Sequence, residues 1–363
     1  MTAGDDTITY EGYARDILFN GILMNGGAPP GQGEPFYYQA FYPYFLAATH
    51  AVFGEGFFGT LLVQRLLVVL TAVTLTRIAV MLRGPAVWPY AFTVSALFCW
   101  WKVAPISADM LNESLYVPLL TAWASSLVAA CQMPTTAGAA VSGVVAGLAA
   151  LTRSTLTLSW ALLWPALALQ WWRQHRRPFA AMAACALALY SLIGVRNVIV
   201  SGRFVTSPTG MGVTLLGGNP PPPDVVINPT ARRGFYERFG IDGYTAEVIE
   251  YAITAPASFA ANLGRKALFA LGFYEAYAEG WGYSPVYIAT WVSAAFGAAL
   301  LWRSEQRHVA MLIPLLIALT QYIAVVIVYP KGERLILPVH TLLIPYAAAA
   351  AHALWIRAAG RAR

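Results

Sequence analysis

The chain has 363 residues, of which 58% are hydrophobic and only 11% charged, with a formal net charge of +6. A soluble domain ordinarily carries about a quarter of its residues as charges, so a water-soluble fold hiding this much apolar surface is excluded. The basic residues stand at the ends of apolar runs rather than on one polar face, which argues against nucleic acid as a partner and marks them as topology signals and interfacial anchors.

The first 57 residues contain no spanning segment. Tyr10-Glu-Gly-Tyr-Ala-Arg-Asp-Ile-Leu-Phe19 places apolar residues at helical spacing, and a Gly/Pro break follows from Gly26 to Pro35. The aromatic run Phe36-Tyr-Tyr-Gln-Ala-Phe-Tyr-Pro-Tyr-Phe45 then suits the headgroup level, where a tyrosine buries its ring and wets its hydroxyl. These segments are expected to lie on the membrane and not to cross it.

From residue 58 onward, weakly charged runs recur at the length a helix needs to cross the hydrocarbon layer. The predicted spans are 58–82, 88–106, 111–130, 138–153, 154–172, 179–200, 284–303, 308–329 and 336–356. The expected class is an all-α polytopic membrane protein with about nine transmembrane helices. Domain organisation follows: an outer-face loop over 1–57, a first bundle over 58–200, a second outer loop over 201–283, and C-terminal spans over 284–363. With residues 1–57 outside, Arg83, Arg173, Arg176, Arg177, Arg303, Arg307, Arg357, Arg361 and Arg363 all fall in cytoplasmic connections, as the positive-inside rule requires. Arg153 separates two short apolar segments with no loop. Reading them as one broken helix would put the Arg173–Arg177 cluster outside, so two spans are expected.

The second long stretch, 201–283, contains Pro220 to Pro223, which cannot be helical, and an amphipathic segment over about 244–271. Gly143 and Gly147 form a GxxxG that reads as helix packing. The three cysteines, Cys99, Cys131 and Cys185, lack CxxC spacing, so neither a disulfide framework nor a thiolate metal site is indicated. The five histidines are dispersed, and no nucleotide-binding glycine loop is present. A chain beginning outside without a signal needs an unusual insertion route. One membrane helix upstream of residue 1 is therefore expected, missing through a mis-set start or a truncation.

With only 17 acids in the chain, those near the outer boundary are informative. Asp5, Asp6, Asp109 and Glu113 qualify, the last two spaced as one helical turn. Their alternatives are a solvated terminus for Asp5 and Asp6, and pairing with Lys102 or hydration for Asp109 and Glu113. On the same side lie Arg196, Arg203, Arg232, Arg233, Arg265, Lys266, Lys331 and Arg334. A desolvated phosphate needs fixed positive charge, although lipid headgroups in general would satisfy these residues too. Arg334 is the most pointed of them, because a cation in a short outer turn runs against the orientation rule.

Ordered short motifs resemble the GT-C superfamily of membrane glycosyltransferases, in its protein-mannosyltransferase and aminoarabinose-transferase branch. They are Asp6-Thr-Ile-Thr-Tyr10 through Ala14, Tyr42-Pro-Tyr-Phe-Leu46, Phe53-Gly-Glu-Gly-Phe57, Gln64-Arg65, Glu113-Ser-Leu-Tyr116, Gly147 through Arg153, Arg196-Asn197, Gly217-Gly-Asn219 and Arg334-Leu-Ile-Leu-Pro338. The resemblance implies inverting transfer from a polyprenyl-phosphate sugar to a lipid, glycan or protein acceptor at the extracytoplasmic face of the inner membrane. It makes Asp6 the general base, with Glu113 and Asp5 positioning the acceptor or polarising the sugar. Arg334 and Lys266, then Arg196, would hold the phosphate, and Tyr10 and Tyr42 belong to the substrate pocket. No cofactor is required; a divalent metal at Asp5, Asp6 and Glu113 is possible. The basic residue and Pro-Pro pair common in the family are replaced by Gln39-Ala40, with Pro43 after them. The alternatives are a secondary transporter or lipid flippase, which predicts mid-membrane charges and pseudo-symmetric halves, and a non-catalytic scaffold.

Overall fold

The structure is a computed structural model that describes residues 5–171, 175–228, 232–276, 280–303, 309–329 and 332–361. It opens with α1 (Asp5–Asn20) and α2 (Phe41–Phe53). Thr7, Tyr10, Ala14 and Ile17 recur at helical spacing and form the buried face of α1. Tyr10 sits edge-on to Tyr42 of α2, with ring centroids 5.0 Å apart.

The membrane-spanning helices follow. They are α3 (Phe57–Arg83), α4 (Trp88–Phe98), which continues through a π-helical turn at Cys99–Val103 into α5 (Ala104–Ile106), then α6 (Glu113–Gln132), α7 (Thr136–Thr152), α8 (Leu156–Trp171) and α9 (Arg176–Ser201). Beyond a second connecting region come α14 (Pro285–Arg303), α15 (Ile313–Val328) and α16 (Glu333–Arg361). Every predicted span coincides with one of these helical stretches. Among the described residues five helices are long and apolar enough to cross a membrane, and three shorter ones, in α7, α8 and α15, are also apolar. The protein is thus an all-α polytopic membrane protein. Arg153, with extended backbone angles, ends α7, and α8 starts at Leu156, so the two short segments are separate helices.

Between the two groups of spans lie α10 (Met211–Gly218), α11 (Arg233–Arg238), α12 (Gly243–Thr254) and α13 (Pro256–Leu271). The single amphipathic segment expected over 244–271 is broken at Ala255, because Pro256 cannot donate to a continuing helix and starts a new one. An antiparallel hairpin, β1 (Phe273–Ala276) with β2 (Gly280–Tyr283), follows. The sequence reading did not foresee it. The helices α14, α15 and α16 complete the chain.

The last helix is the axis of the bundle, with 94% of its most apolar stretch buried inside the protein. Small residues let its neighbours approach closely. A Cβ at Gly297 would fall 1.9 Å from the Tyr346 carbonyl oxygen, and one at Gly143 would fall 2.2 Å from that of Met182 in α9. The GxxxG of α7 is therefore a packing face, since Gly147 likewise meets Leu189 and Ala186. Gly143→Ala and Gly297→Ala are expected to destabilise the detergent-solubilised protein by about 1–3 kcal/mol through overpacking against backbone. Gly12→Ala, where a Cβ inside α1 meets nothing within 4 Å, should not lower the melting midpoint in a thermal unfolding scan and should raise it slightly, through the better helix propensity of alanine.

Candidate functional site

Arg196 and Asn197, near the end of α9, fold the connection after α1 back onto the bundle. The Arg196 guanidinium donates to the carbonyls of Leu23 (2.8 Å), Met24 (2.6 Å) and Glu34 (3.0 Å) and lies over the Phe36 ring, 4.0 Å from its centroid. Asn197 Oδ1 accepts from the Phe36 amide at 3.4 Å, while its Nδ2 donates to the Val205 carbonyl. Thr209 N and Gly210 N then donate to the carbonyls of Phe36 and Tyr37, at 2.9 and 3.1 Å. This lacing sets Tyr37, Tyr38 and Gln39 opposite the start of α10.

A cavity of about 290 Å³ lies between these two walls. Asp6 and Tyr10 of α1, Glu113 at the start of α6, Arg153 between α7 and α8, Tyr329 after α15 and Arg334 in the first turn of α16 all line it, with Asn112 and Gln39. Asp6 Oδ2 lies 2.6 Å from Arg334 Nη2, and Tyr38 donates its hydroxyl to Asp6 Oδ1 at 3.3 Å. Burial, and then the Asp6 carboxylate, push the Tyr38 phenol up to about 12, so it stays a donor near neutral pH. Burial, followed by the charges of Glu113 and Asp6, likewise raises the Tyr10 phenol.

The second pair is deeper. Arg153 Nη1 stands 3.7 Å from Glu113 Oε1, and both side chains are only 4% exposed. Arg153 Nε donates to the Tyr329 hydroxyl at 3.1 Å, and its guanidinium lies over the Tyr329 and Tyr116 rings, at 4.5 and 5.4 Å. Glu113 Oε2 and Arg153 Nη1 are buried without a hydrogen-bond partner among the described residues. A buried polar atom without a partner is costly, and both of these belong to residues of the cavity wall.

Of the residues singled out from the sequence, Asp6, Glu113, Tyr10 and Arg334 line one cavity. The side chain of Asp5, and Lys331 altogether, lie outside the described residues. Three others are placed elsewhere. Arg196 spends its donors on backbone carbonyls, because the loop after α1 has orphan acceptors there. Lys266 is 2% exposed and donates to Asn219 Oδ1 at 2.9 Å and the Ile327 carbonyl at 3.3 Å, bracing α10 against the end of α15 behind the cavity wall. Tyr42 is fully buried beneath Tyr10 and accepts from Gln64 Nε2 at 2.7 Å. Asp109 is exposed in the bend before α6 and does not share a helical turn with Glu113; Lys102 pairs with Glu333 instead of either acid.

The sequence reading missed Arg153, Tyr38, Tyr329, Asn112 and Gln39 as site residues. A signal existed for Arg153: a guanidinium inside an apolar stretch, with no loop to carry it, ordinarily faces a cavity or a partner. Gln39 stands at the position where the resembling family has a basic residue, and its amide donates to Ser154 Oγ at 3.2 Å.

Neither a family model nor a curated protein matches this sequence. Solved structures do. Two of the Archaeoglobus fulgidus oligosaccharyltransferase, one in complex with Zn and sulfate and one apo, superpose with a TM-score of 0.58 at 12% identity. They cover 99% and 98% of this chain but 46% and 47% of their own. The chain thus shares the fold of the part of those structures that it covers. At that identity the likeness is one of architecture, and this chain spans a little under half the length of the structures it matches.

For a divalent ion, the described carboxylates fit poorly. Asp6 and Glu113 each face a guanidinium, and no cluster of three His, Cys, Asp or Glu gathers among the described residues.

Burial lowers the Lys266 ammonium from 10.5 to about 8. Between those values the unfolded chain holds a proton that the native protein lacks, so Lys266 makes stability rise with pH above about 8. In denaturation at a series of pH values, Lys266→Met is expected to flatten this rise relative to the wild type.

Proposed function

We propose that the protein is an inverting glycosyltransferase of the protein-mannosyltransferase and aminoarabinose-transferase kind. It would move a hexosyl or pentosyl group from a polyprenyl-phosphate donor to a hydroxyl of a lipid, glycan or protein acceptor at the extracytoplasmic face of the inner membrane. One observation carries the reading: two carboxylates and two guanidiniums, drawn from α1, α6, the α7–α8 turn and α16, converge on a single cavity within the fold shared with the oligosaccharyltransferase structures.

The acceptor oxygen attacks C1 as the bond from C1 to the phosphate oxygen breaks, and the acceptor proton passes to the Asp6 carboxylate. The donor phosphodiester carries one negative charge and leaves as a monoester that carries nearly two, with no proton needed. The greater demand is therefore electrostatic, and a preorganised cation meets it best where water is scarce. Arg334 and Arg153 are the cations of the cavity wall. Glu113, held by Arg153, has its free Oε2 available to a sugar or acceptor hydroxyl. Tyr10, Tyr37 and Tyr38 supply the aromatic wall against which a sugar ring can lie. Lys266 and Arg196 act at a distance, by fixing the walls.

The membrane placement makes the substrate accessible. A polyprenyl tail remains in the hydrocarbon layer while its phosphate reaches the cavity at the helix ends. Mid-membrane charges related by pseudo-symmetric halves, which a secondary transporter would show, are not what lines this cavity.

The test is sugar release from a labelled polyprenyl-phosphate sugar by the purified protein in mixed micelles, with a membrane lipid extract as the acceptor pool. Asp6→Asn is expected to lower turnover by about a hundred- to ten-thousandfold, and Arg153→Gln and Arg334→Gln to raise the KM for the donor. Undiminished turnover in Asp6→Asn would remove that residue from the role of base.

A further inference from the structure

The two carboxylate–guanidinium pairs of the cavity differ in kind. Glu113 and Arg153 are both 4% exposed, sit 3.7 Å apart and are fixed by the two tyrosine rings. Asp6 and Arg334 are 31% and 40% exposed and sit at 2.6 Å. Both oxygens of Asp6 are engaged, Oδ2 by Arg334 and Oδ1 by the Tyr38 hydroxyl. Each oxygen of the group placed to take a proton thus already accepts a hydrogen bond, and the cation placed to take a phosphate already holds an anion.

We propose that the site as it stands masks itself: the Asp6 carboxylate occupies the anion position of Arg334, and the donor phosphate must displace it before Asp6 is free to act on an acceptor. This inference rests on reading Arg334 as a phosphate ligand. Three features make the exchange feasible. A partly exposed ion pair is weak and exchangeable, unlike a buried one. The arriving phosphate offers two acceptor oxygens to the guanidinium, where Asp6 uses one. Arg153, a second guanidinium of the same wall whose Nη1 makes no hydrogen bond among the described residues and is paired with Glu113 at 3.7 Å, adds positive potential for the incoming charge.

Masking imposes an order. Donor phosphate binds first, uncovers the base, and only then does an acceptor hydroxyl find a proton acceptor. When the leaving phosphate departs and Asp6, which is partly exposed, gives the acceptor's proton to solvent, Arg334 returns to the carboxylate and the base is covered again.

The consequence runs against intuition, because removing the carboxylate should improve donor binding. The measurement is the affinity of polyprenyl monophosphate for the purified full chain in detergent micelles, by calorimetry, with the corresponding polyprenol as the comparator without phosphate. Asp6→Asn is expected to tighten polyprenyl monophosphate binding by roughly fivefold and to leave polyprenol unaffected. Asp6→Ser should do the same if the asparagine amide keeps a hydrogen bond to Arg334. In an Arg334→Gln background, where binding is weak, Asp6→Asn should give no gain, because the masking acts through that guanidinium. Equal or weaker binding by both Asp6 variants, or an equal gain with Arg334 already replaced, overturns the proposal. The latter result would mean simple charge repulsion. Wild-type protein that binds polyprenyl monophosphate no better than polyprenol would overturn the transferase reading itself, and the masking with it.

Discussion

A carboxylate in the first helix meets a guanidinium in the first turn of the last, across 328 residues of sequence. Everything else in the site is arranged so that this contact forms at the end of a bundle of apolar helices. Charges in such surroundings must be paired or hydrogen-bonded, because an uncompensated one is far more expensive than any packing gained by burying it. The buried axis of α16 fixes where Arg334 emerges. The tyrosine packing of α1 on α2 and the backbone clamp of Arg196 fix where Asp6 is held. Neither end of the pair is placed by its own neighbours in sequence.

The helices were legible because their signal is local: apolar length and terminal arginines suffice to mark a span, even where Arg153 leaves no loop between two of them. The carboxylates were legible for a related reason. In a chain with 17 acids, one retained beside an apolar run is conspicuous. The cations were harder to sort. Arg196, Lys266 and Arg334 look alike in sequence, yet the first two are consumed by carbonyls of the loop after α1 and of the end of α15. Which carbonyls are orphaned depends on how the loops fold, and no periodicity announces it. Arg153 stands out in sequence as a boundary between two apolar segments, and in the fold it lines the cavity. The pairing of β1 with β2 was invisible, since four-residue strands carry too short an alternation to stand out from a loop.

Lys266 and Arg196 show how support differs from participation. Both are basic and almost fully buried, and both act on the cavity through what they hold. Arg196 carries the segment that ends in Tyr37, Tyr38 and Gln39. Lys266 and Asn219 fasten the end of α10 to the end of α15, immediately before Tyr329. Their substitution would displace walls rather than remove ligands, which is why stability and pH dependence report on them better than substrate affinity does.

Among the described residues the four charges that line the cavity sum to zero, and that balance bears on how a phosphate could be accommodated. A cavity with two free cations would attract any anion and hold it, whereas a neutral one accepts a phosphate only by rearranging a pair. The buried pair is the poorer candidate for rearrangement. Separating Glu113 from Arg153 would strand a charge among Tyr116, Tyr329 and the apolar ends of α6 and α8, where water does not replace the lost partner. The partly exposed pair can open, because solvent and Tyr38 remain to receive Asp6. Fixed and exchangeable charge are thereby divided between two sites a few side chains apart. The division follows from burial alone: the same two residue types, set at different depths, are rigid in one place and mobile in the other.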